Sequence, residues 1–108
     1  MTTFDERERA FEAKFARDQE MVFKIHARRD KLLGAWAAAK LGLTPAETEA
    51  YSRDLVHADF DMVGDTDITK KLLGDLTGAG IEISEAEIEA EIELKTVQAR
   101  RQLIEAMD

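Results

Sequence analysis

The sequence lacks cysteine, contains a single proline and six glycines, and is only 6% aromatic in its 108 residues. Without cysteine it has no disulfide framework and no thiolate metal site. Few glycines and prolines, together with many charged helix-forming residues, predict an all-α protein. A chain of this length is expected to form one small domain whose modest core leaves little room for an enzyme cleft.

Long hydrophobic runs are also missing. No window approaches the roughly 18 consecutive apolar residues that a membrane-spanning helix needs, and the charged N-terminus lacks the apolar region of a secretory signal. These absences predict a cytoplasmic protein without direct membrane insertion. Residues 1–40 carry a net charge of +2 and residues 41–108 a net charge of −10. The acidic second part would repel nucleic acid, which is therefore not expected as a partner.

The first forty residues are predicted to form one long helix from a Thr3 cap to Leu41, with Gly42 in the left-handed conformation that ends it. At 1.5 Å per residue this helix would be about 57 Å long, far longer than the others. Its second half holds Trp36 and a run of alanines, so that half is expected to be anchored in the core. The first half must then project, bend back or be disordered in the isolated protein.

Three shorter helices are expected to complete the bundle. The second begins at a T-x-x-E capping box from Thr44 to Glu47, and the fourth begins at a similar box from Ser84 to Glu87. Because the connecting loops are short, neighbouring helices should run antiparallel and form a small four-helix bundle. The apolar faces expected to form its core are Tyr51, Leu55, Ala58 and Met62, then Ile68, Leu72, Leu73 and Leu76, then Ile88, Ile92, Ala99, Leu103 and Ala106.

Motifs of catalysis are absent from the sequence. It contains no P-loop, dinucleotide-binding, nucleophile-elbow or zinc-protease signature. His57 and Asp61 have the i, i+4 spacing of a metal-ligand face, but two ligands without a third are weak grounds for a metal site. We therefore predict no metal, no cofactor and no catalytic residue, and the protein is not expected to be an enzyme.

A basic cluster occupies the anchored half of the first helix, where Lys24, Arg28, Arg29 and Lys31 place four cations within eight residues. Two interpretations stay open. The cations could pair with acids of the other helices, for instance those of residues 82–93. Alternatively Lys24, Arg28 and Arg29 could hold a phosphate, since guanidinium groups suit phosphate geometry. The second interpretation would make the protein a small helical sensor of a nucleotide or phosphate ligand.

A thin aromatic stripe of Phe4, Phe11 and Phe15 runs between dense charges in the N-terminal half. One interpretation packs this stripe on the bundle as ordinary core. The other makes it a helix that lays a narrow apolar stripe in a partner's groove and orders on binding, because such a helix is marginal in isolation. We favour the second, since charges interrupt the stripe and the bundle is too short to reach it.

Three stretches resemble a known family: TTFDERERAFEAKFARDQEMVFK, ARRDKLLGAWAA and a helix that ends near VHADF. They look like the zeta subunit of bacterial F-type ATP synthases, long catalogued only as a domain of unknown function, and the likeness covers essentially the whole chain. The resemblance implies a compact four-helix protein. It also implies an N-terminal inhibitory segment at residues 1–19, mobile in isolation, followed by a globular domain at residues 20–108.

In that family the N-terminal segment can insert into a catalytic interface of the soluble rotary head, between the alpha and beta subunits and against gamma. It then blocks rotation in the ATP-hydrolysing direction. The resemblance therefore implies a non-enzymatic regulator, monomeric when free and held at the inner face of the membrane through the synthase. Carried over by position, the expected contacts of the inhibitory segment are Phe4, Asp5, Arg7, Glu8, Phe11, Glu12, Lys14 and Phe15.

Overall fold

The protein is all-α, as predicted. The computed structural model describes residues 6–10, 19–61 and 65–106, and no strand occurs in these ranges. Residues 6–10 are helical, and four helices follow: α1 (Gln19–Leu41), α2 (Pro45–Asp61), α3 (Asp65–Gly78) and α4 (Glu85–Glu105). α1 packs against all three other helices, so it is the central element of the fold.

Local capping interactions set the boundary between α1 and α2 where the sequence predicts it. Gly42 has a φ of 73°, and the Leu43 N–H donates to the Ala38 carbonyl at 3.0 Å, which closes α1 in a Schellman motif. The Thr44 N–H donates to Glu47 Oε1 at 2.9 Å, and the Glu47 N–H donates to Thr44 Oγ1 at 3.2 Å. These hydrogen bonds lower the pKa of Glu47, so the predicted capping box is confirmed.

The boundary between α3 and α4 follows the same pattern. Gly80 has a φ of 83°, and the Ile81 N–H donates to the Leu76 carbonyl at 3.0 Å. The Ser84 hydroxyl accepts the N–H of Glu87 at 3.1 Å and caps α4. The predicted Thr3 cap lies outside the described residues.

The main core lies where α1, α2, α3 and α4 meet. Leu33 on α1 is fully buried, and Trp36 packs against this core while staying partly exposed, so the predicted anchoring of this half of the helix is confirmed. The buried members of this cluster are Leu33, Ala37, Leu55, Ile68, Leu72, Leu76, Ile88 and Ile92.

A second, smaller cluster joins α1 to the end of α4 and corrects the sequence prediction there. It consists of Ile25, Ala99 and Ile104. The sequence assigned Leu103 and Ala106 to the core, but Leu103 is half-buried, Ala106 is exposed and Ile104 has no exposed surface. A turn of 100° per residue places Ile104 about 140° around the helix from Ala99. The end of α4 is therefore covered from a second side, which a single-face prediction cannot anticipate.

A buried charge cluster joins α1 to α2. Arg29 and Asp30 are respectively 1% and 0% exposed. Arg29 Nε donates to Asp30 Oδ1 at 3.1 Å, and its Nη2 donates to Asp59 Oδ2 at 3.0 Å. Since an unpaired buried charge is strongly destabilising, this one guanidinium holds two carboxyl groups inside the fold.

Asp30 is the unusual member of that cluster. Burial, together with a hydrogen bond shared with Asp59, raises the pKa of Asp30 to about 8. Its Oδ2 is sealed from solvent, and no N–H or O–H donor of the described residues reaches it. A proton on Asp30 satisfies this oxygen by bonding to the neighbouring carboxylate. The cluster then holds one cation and one anion, which removes most of the cost of burying it.

α1 and α2 also approach each other closely at Gly34. A methyl group added at Gly34 would lie 2.7 Å from the Ser52 Cα and would collide with the Ser52 side chain, which is itself buried. The glycine is thus needed for the backbone approach of the two helices rather than for a turn.

Replacing Gly34 by alanine tests this close approach. Because the Ser52 backbone cannot yield without moving α2, Gly34→Ala should lower the free energy of unfolding by about 1–3 kcal/mol, the usual cost of overpacking. The matched control is Gly74→Ala on α3, where an added methyl group meets nothing within 4 Å. That variant should gain up to about 1 kcal/mol, because alanine is the better helix former. Urea denaturation measures both, and equal shifts of the same sign would refute the proposed contact.

The pH dependence of stability tests the Asp30 proton. The pKa of Asp30 in the folded protein, about 8, lies above the value of 3.8 expected for the unfolded chain, so the folded state binds more protons between these pH values. Its stabilising contribution is complete below about pH 4 and is lost as the pH rises through 8. Asp30→Asn keeps the shape without the titration. The difference in unfolding free energy between pH 5 and pH 9 should therefore shrink in this variant. An unchanged difference would show that Asp30 is ionised in the folded state.

Candidate functional site

The predicted inhibitory segment is represented in the structure by residues 6–10. Of its eight predicted contact residues, Arg7 and Glu8 fall within this range, and both are half-buried, whereas Glu6, Arg9 and Ala10 are exposed. The other predicted contacts lie outside the described residues: Phe4, Asp5, Phe11, Glu12, Lys14 and Phe15.

Residues 6–10 lie against the C-terminal part of α4. Glu8 lines a small cavity of about 50 Å³ together with Val97, Arg100, Arg101 and Ile104. In addition, Nε and Nη1 of Arg7 have no contact with solvent. An acidic side chain therefore faces two arginines at the place where α4 buries Ile104, so charge and apolar contact both favour this position.

This position differs from the single straight helix predicted from Thr3 to Leu41. A straight helix from residue 6 to residue 41 would span about 54 Å, but the longest dimension of the structure is 44 Å. The two helical stretches are therefore not collinear, and the described part of the N-terminal segment bends back rather than projecting. Helix length alone left projection, bending back and disorder open, because it could not show that the end of α4 offers a docking face. Mobility of residues 1–19 stays a prediction.

The basic cluster of α1 is divided between the surface and the interior. Lys24, Arg28 and Lys31 line a groove of about 630 Å³ between α1 and α4. Arg29 points the other way, into the charge cluster with Asp59, so it is not available to a ligand in solution. Of the three residues in the phosphate interpretation, Arg29 is therefore not placed to meet a phosphate from solvent. The alternative of pairing with other helices holds for Arg29, but through α2 rather than residues 82–93.

The two remaining candidates of the phosphate site already have protein partners. Arg28 Nη1 donates to Gln102 Oε1 at 3.2 Å across the groove, and Lys24 Nζ lies 3.4 Å from Glu20 Oε1. Both contacts are at the surface, where a ligand could displace them at little cost. The groove thus keeps three cations close to one another even without Arg29.

An exposed aromatic pair was missed by the sequence analysis. The rings of Phe23 and Phe60 stack with their centroids 4.0 Å apart and their planes 6° from parallel, although the residues are 53% and 38% exposed. Phe23 also lines the basic groove. The antiparallel arrangement of α1 and α2 brings the start of one helix beside the end of the other. Predicting the stack from the sequence would have required pairing these two helix ends. A stacked pair exposed at this level is a candidate contact for a protein partner.

The remaining sequence candidates do not assemble into a site. His57 is exposed. Within the described ranges, no three His, Cys, Asp or Glu side chains lie close enough together to hold a metal ion. None of the helices in the described part of the chain has the length and apolar character that crossing a bilayer requires.

Comparison with known proteins gives a family and a related structure. The sequence model of the ATPase inhibitor subunit zeta family matches residues 1–102. A protein whose structure was determined in solution by NMR is 42% identical, with a TM-score of 0.69, and the match covers 80% of this chain and 98% of that one. A search of curated proteins found no match.

The family match extends over nearly the whole chain, from the N-terminal segment through the bundle into the last turns of α4. It includes residues 6–10, the basic groove and the buried charge cluster alike. The chain belongs to the ATPase inhibitor subunit zeta family.

Proposed function

We propose that this chain inhibits ATP hydrolysis by an F-type ATP synthase, and that residues 1–19 do so by inserting at a catalytic interface of the rotary head. The observation that carries the proposal is that residues 6–10, the stretch of the N-terminal segment ahead of α1 that the structure describes, take no part in the bundle core. Both buried clusters are built from residues of α1 to α4, without any of residues 6–10. Residues 6–10 can therefore change their position while the described core of the bundle stays packed.

Insertion would stop a rotary enzyme without any chemistry by the inhibitor. A catalytic interface that opens and closes during turnover can be trapped in one state by a helix that fills it. The proposed partners are the alpha, beta and gamma subunits of the head. Through them the chain would be held at the inner face of the membrane.

The bundle would contribute by docking. Fixing a residue's backbone costs about 1–2 kcal/mol, so a short segment alone pays a large ordering cost on binding. A bundle that binds the head nearby converts insertion into an intramolecular step with a high effective concentration. The Phe23–Phe60 stack is the best candidate for that docking contact, because it exposes apolar area on the bundle itself.

Two variants test the inhibitory segment: a chain that lacks residues 1–19, and a full-length chain in which three phenylalanines are replaced. The intact protein should inhibit ATP hydrolysis by the soluble head of the cognate synthase, whereas a chain lacking residues 1–19 should not. Replacing Phe4, Phe11 and Phe15 together by alanine in the full chain should also abolish most inhibition, because the apolar stripe is lost. Circular dichroism should show the helical fold intact in both. If the intact and shortened chains are equally inert or equally inhibitory, insertion of the segment is not the mechanism.

The basic groove supports a second candidate function, the sensing of a nucleotide. Three cations beside the exposed Phe23 ring offer a phosphate contact and a stacking surface in one groove. Titration with ADP or ATP should shift the NMR signals of groove residues, and Arg28→Ala should weaken the shifts. The matched control is Arg53→Ala, which removes an exposed cation of α2 that pairs with Glu49. Absence of shifts at millimolar nucleotide would discard this function.

A further inference from the structure

Opposite sides of α4 contact different parts of the protein. Ile88, Ile92 and Ala99 pack into the bundle core. At 100° per residue, Val97 and Ile104 lie about 180° and 160° around the helix from Ile88, although Ile104 still packs in the second cluster with Ile25. We call the surface formed by Val97, Arg100, Arg101 and Ile104 the back face of α4.

The back face is not left to solvent. Ile104 has no exposed surface and packs in the cluster with Ile25 of α1, whereas Val97, less than two turns before it, is 47% exposed. Glu8 lines the same small cavity as these two residues and the two arginines between them. Residues 6–10 therefore rest on the back face at its C-terminal end.

This resting position conflicts with a role in partner binding. Arg7 and Glu8 are two of the residues expected to contact the rotary head, and they are the two of residues 6–10 that are half-buried in the isolated protein. A side chain packed against α4 cannot at the same time line a cleft of another protein. Binding to the head therefore requires residues 6–10 to leave the back face.

We propose that the contact of residues 6–10 with the back face of α4 is an autoinhibitory latch, in which Glu8 lies in one small cavity with Arg100 and Arg101 and is attracted by their charge. This inference rests on the proposed function and deepens it. The docked chain is the inactive form, and the rotary head captures the released form. The latch consists of partly exposed charges and a small apolar contact, which makes docking and release close in free energy.

Arg101→Glu tests the latch without touching a residue of the inhibitory segment. Arg101 is exposed on α4, so reversing its charge should repel Glu8 and leave the bundle folded. If the docked form dominates, the apparent affinity for the head is reduced by the small released fraction. Releasing the latch should then lower the concentration for half-maximal inhibition about 3- to 30-fold. The matched control is Arg53→Glu, an exposed charge reversal on α2 that should change nothing.

Docking itself is measured separately. The chain has no cysteine, so Gln98→Cys gives a single attachment point for a nitroxide on α4. In the otherwise unchanged chain, the label should broaden the NMR signals of residues 6–10. Arg101→Glu should remove this broadening, and adding Glu8→Arg should restore it because the charges are exchanged.

The combined results separate the two hypotheses. Loss of broadening together with stronger inhibition supports the latch. The latch is overturned if the label does not broaden the signals of residues 6–10 in the otherwise unchanged chain. It is also overturned if Arg101→Glu removes the broadening without strengthening inhibition. Either result leaves inhibition by the N-terminal segment intact. If neither the intact chain nor the released variant inhibits the head, the proposed function and the latch fail together.

Discussion

The packing of α1 on α2 depends on one buried guanidinium. Arg29 is held by a carboxyl group from each helix, at 3.1 Å from Asp30 and 3.0 Å from Asp59. The close backbone approach at Gly34 lies less than two turns along the same helix. Since α1 contacts every other helix, these two constraints fix the orientation around which the bundle is assembled. They also explain why a cation in a basic sequence cluster serves the fold instead of a ligand.

The orientation of α1 decides which surfaces reach solvent. With Arg29 turned inward, Arg28 and Lys31 face the groove shared with α4, and Phe23 stacks on Phe60 at the junction with α2. Basic and aromatic surfaces are thus adjacent on one side of the bundle. The back face of α4, against which residues 6–10 rest, is a further and separate surface. The proposed docking contact and the proposed latch therefore lie on different surfaces of the bundle.

Membership of the zeta family supports an ATPase inhibitor role. The structure shows residues 6–10 packed against α4, and this packing bears on how such a role would be performed. The proposed latch requires residues 6–10 to stay on α4 in the free protein and to leave it when the rotary head binds. Weak contacts between partly exposed charges meet both needs, because they hold a short helical stretch without making its release slow. Tight packing of the segment into the core would give storage but no release. In the proposed mechanism, the well-packed bundle and the more weakly held residues 6–10 therefore have different roles.

The sequence alone determined the features that depend on neighbours along the chain: the all-α class, the capping boxes at Thr44 and Ser84, and the glycine stop at position 42. Helix caps and hydrophobic periodicity are local patterns, so they can be recognised in the sequence without knowledge of the fold. Only the tertiary structure decided the burial of Arg29, the choice of Ile104 over Leu103, and the return of residues 6–10 to α4. Each of these depends on contacts between residues more than twenty-five positions apart, or on cover from a second side, and neither is encoded in a local pattern.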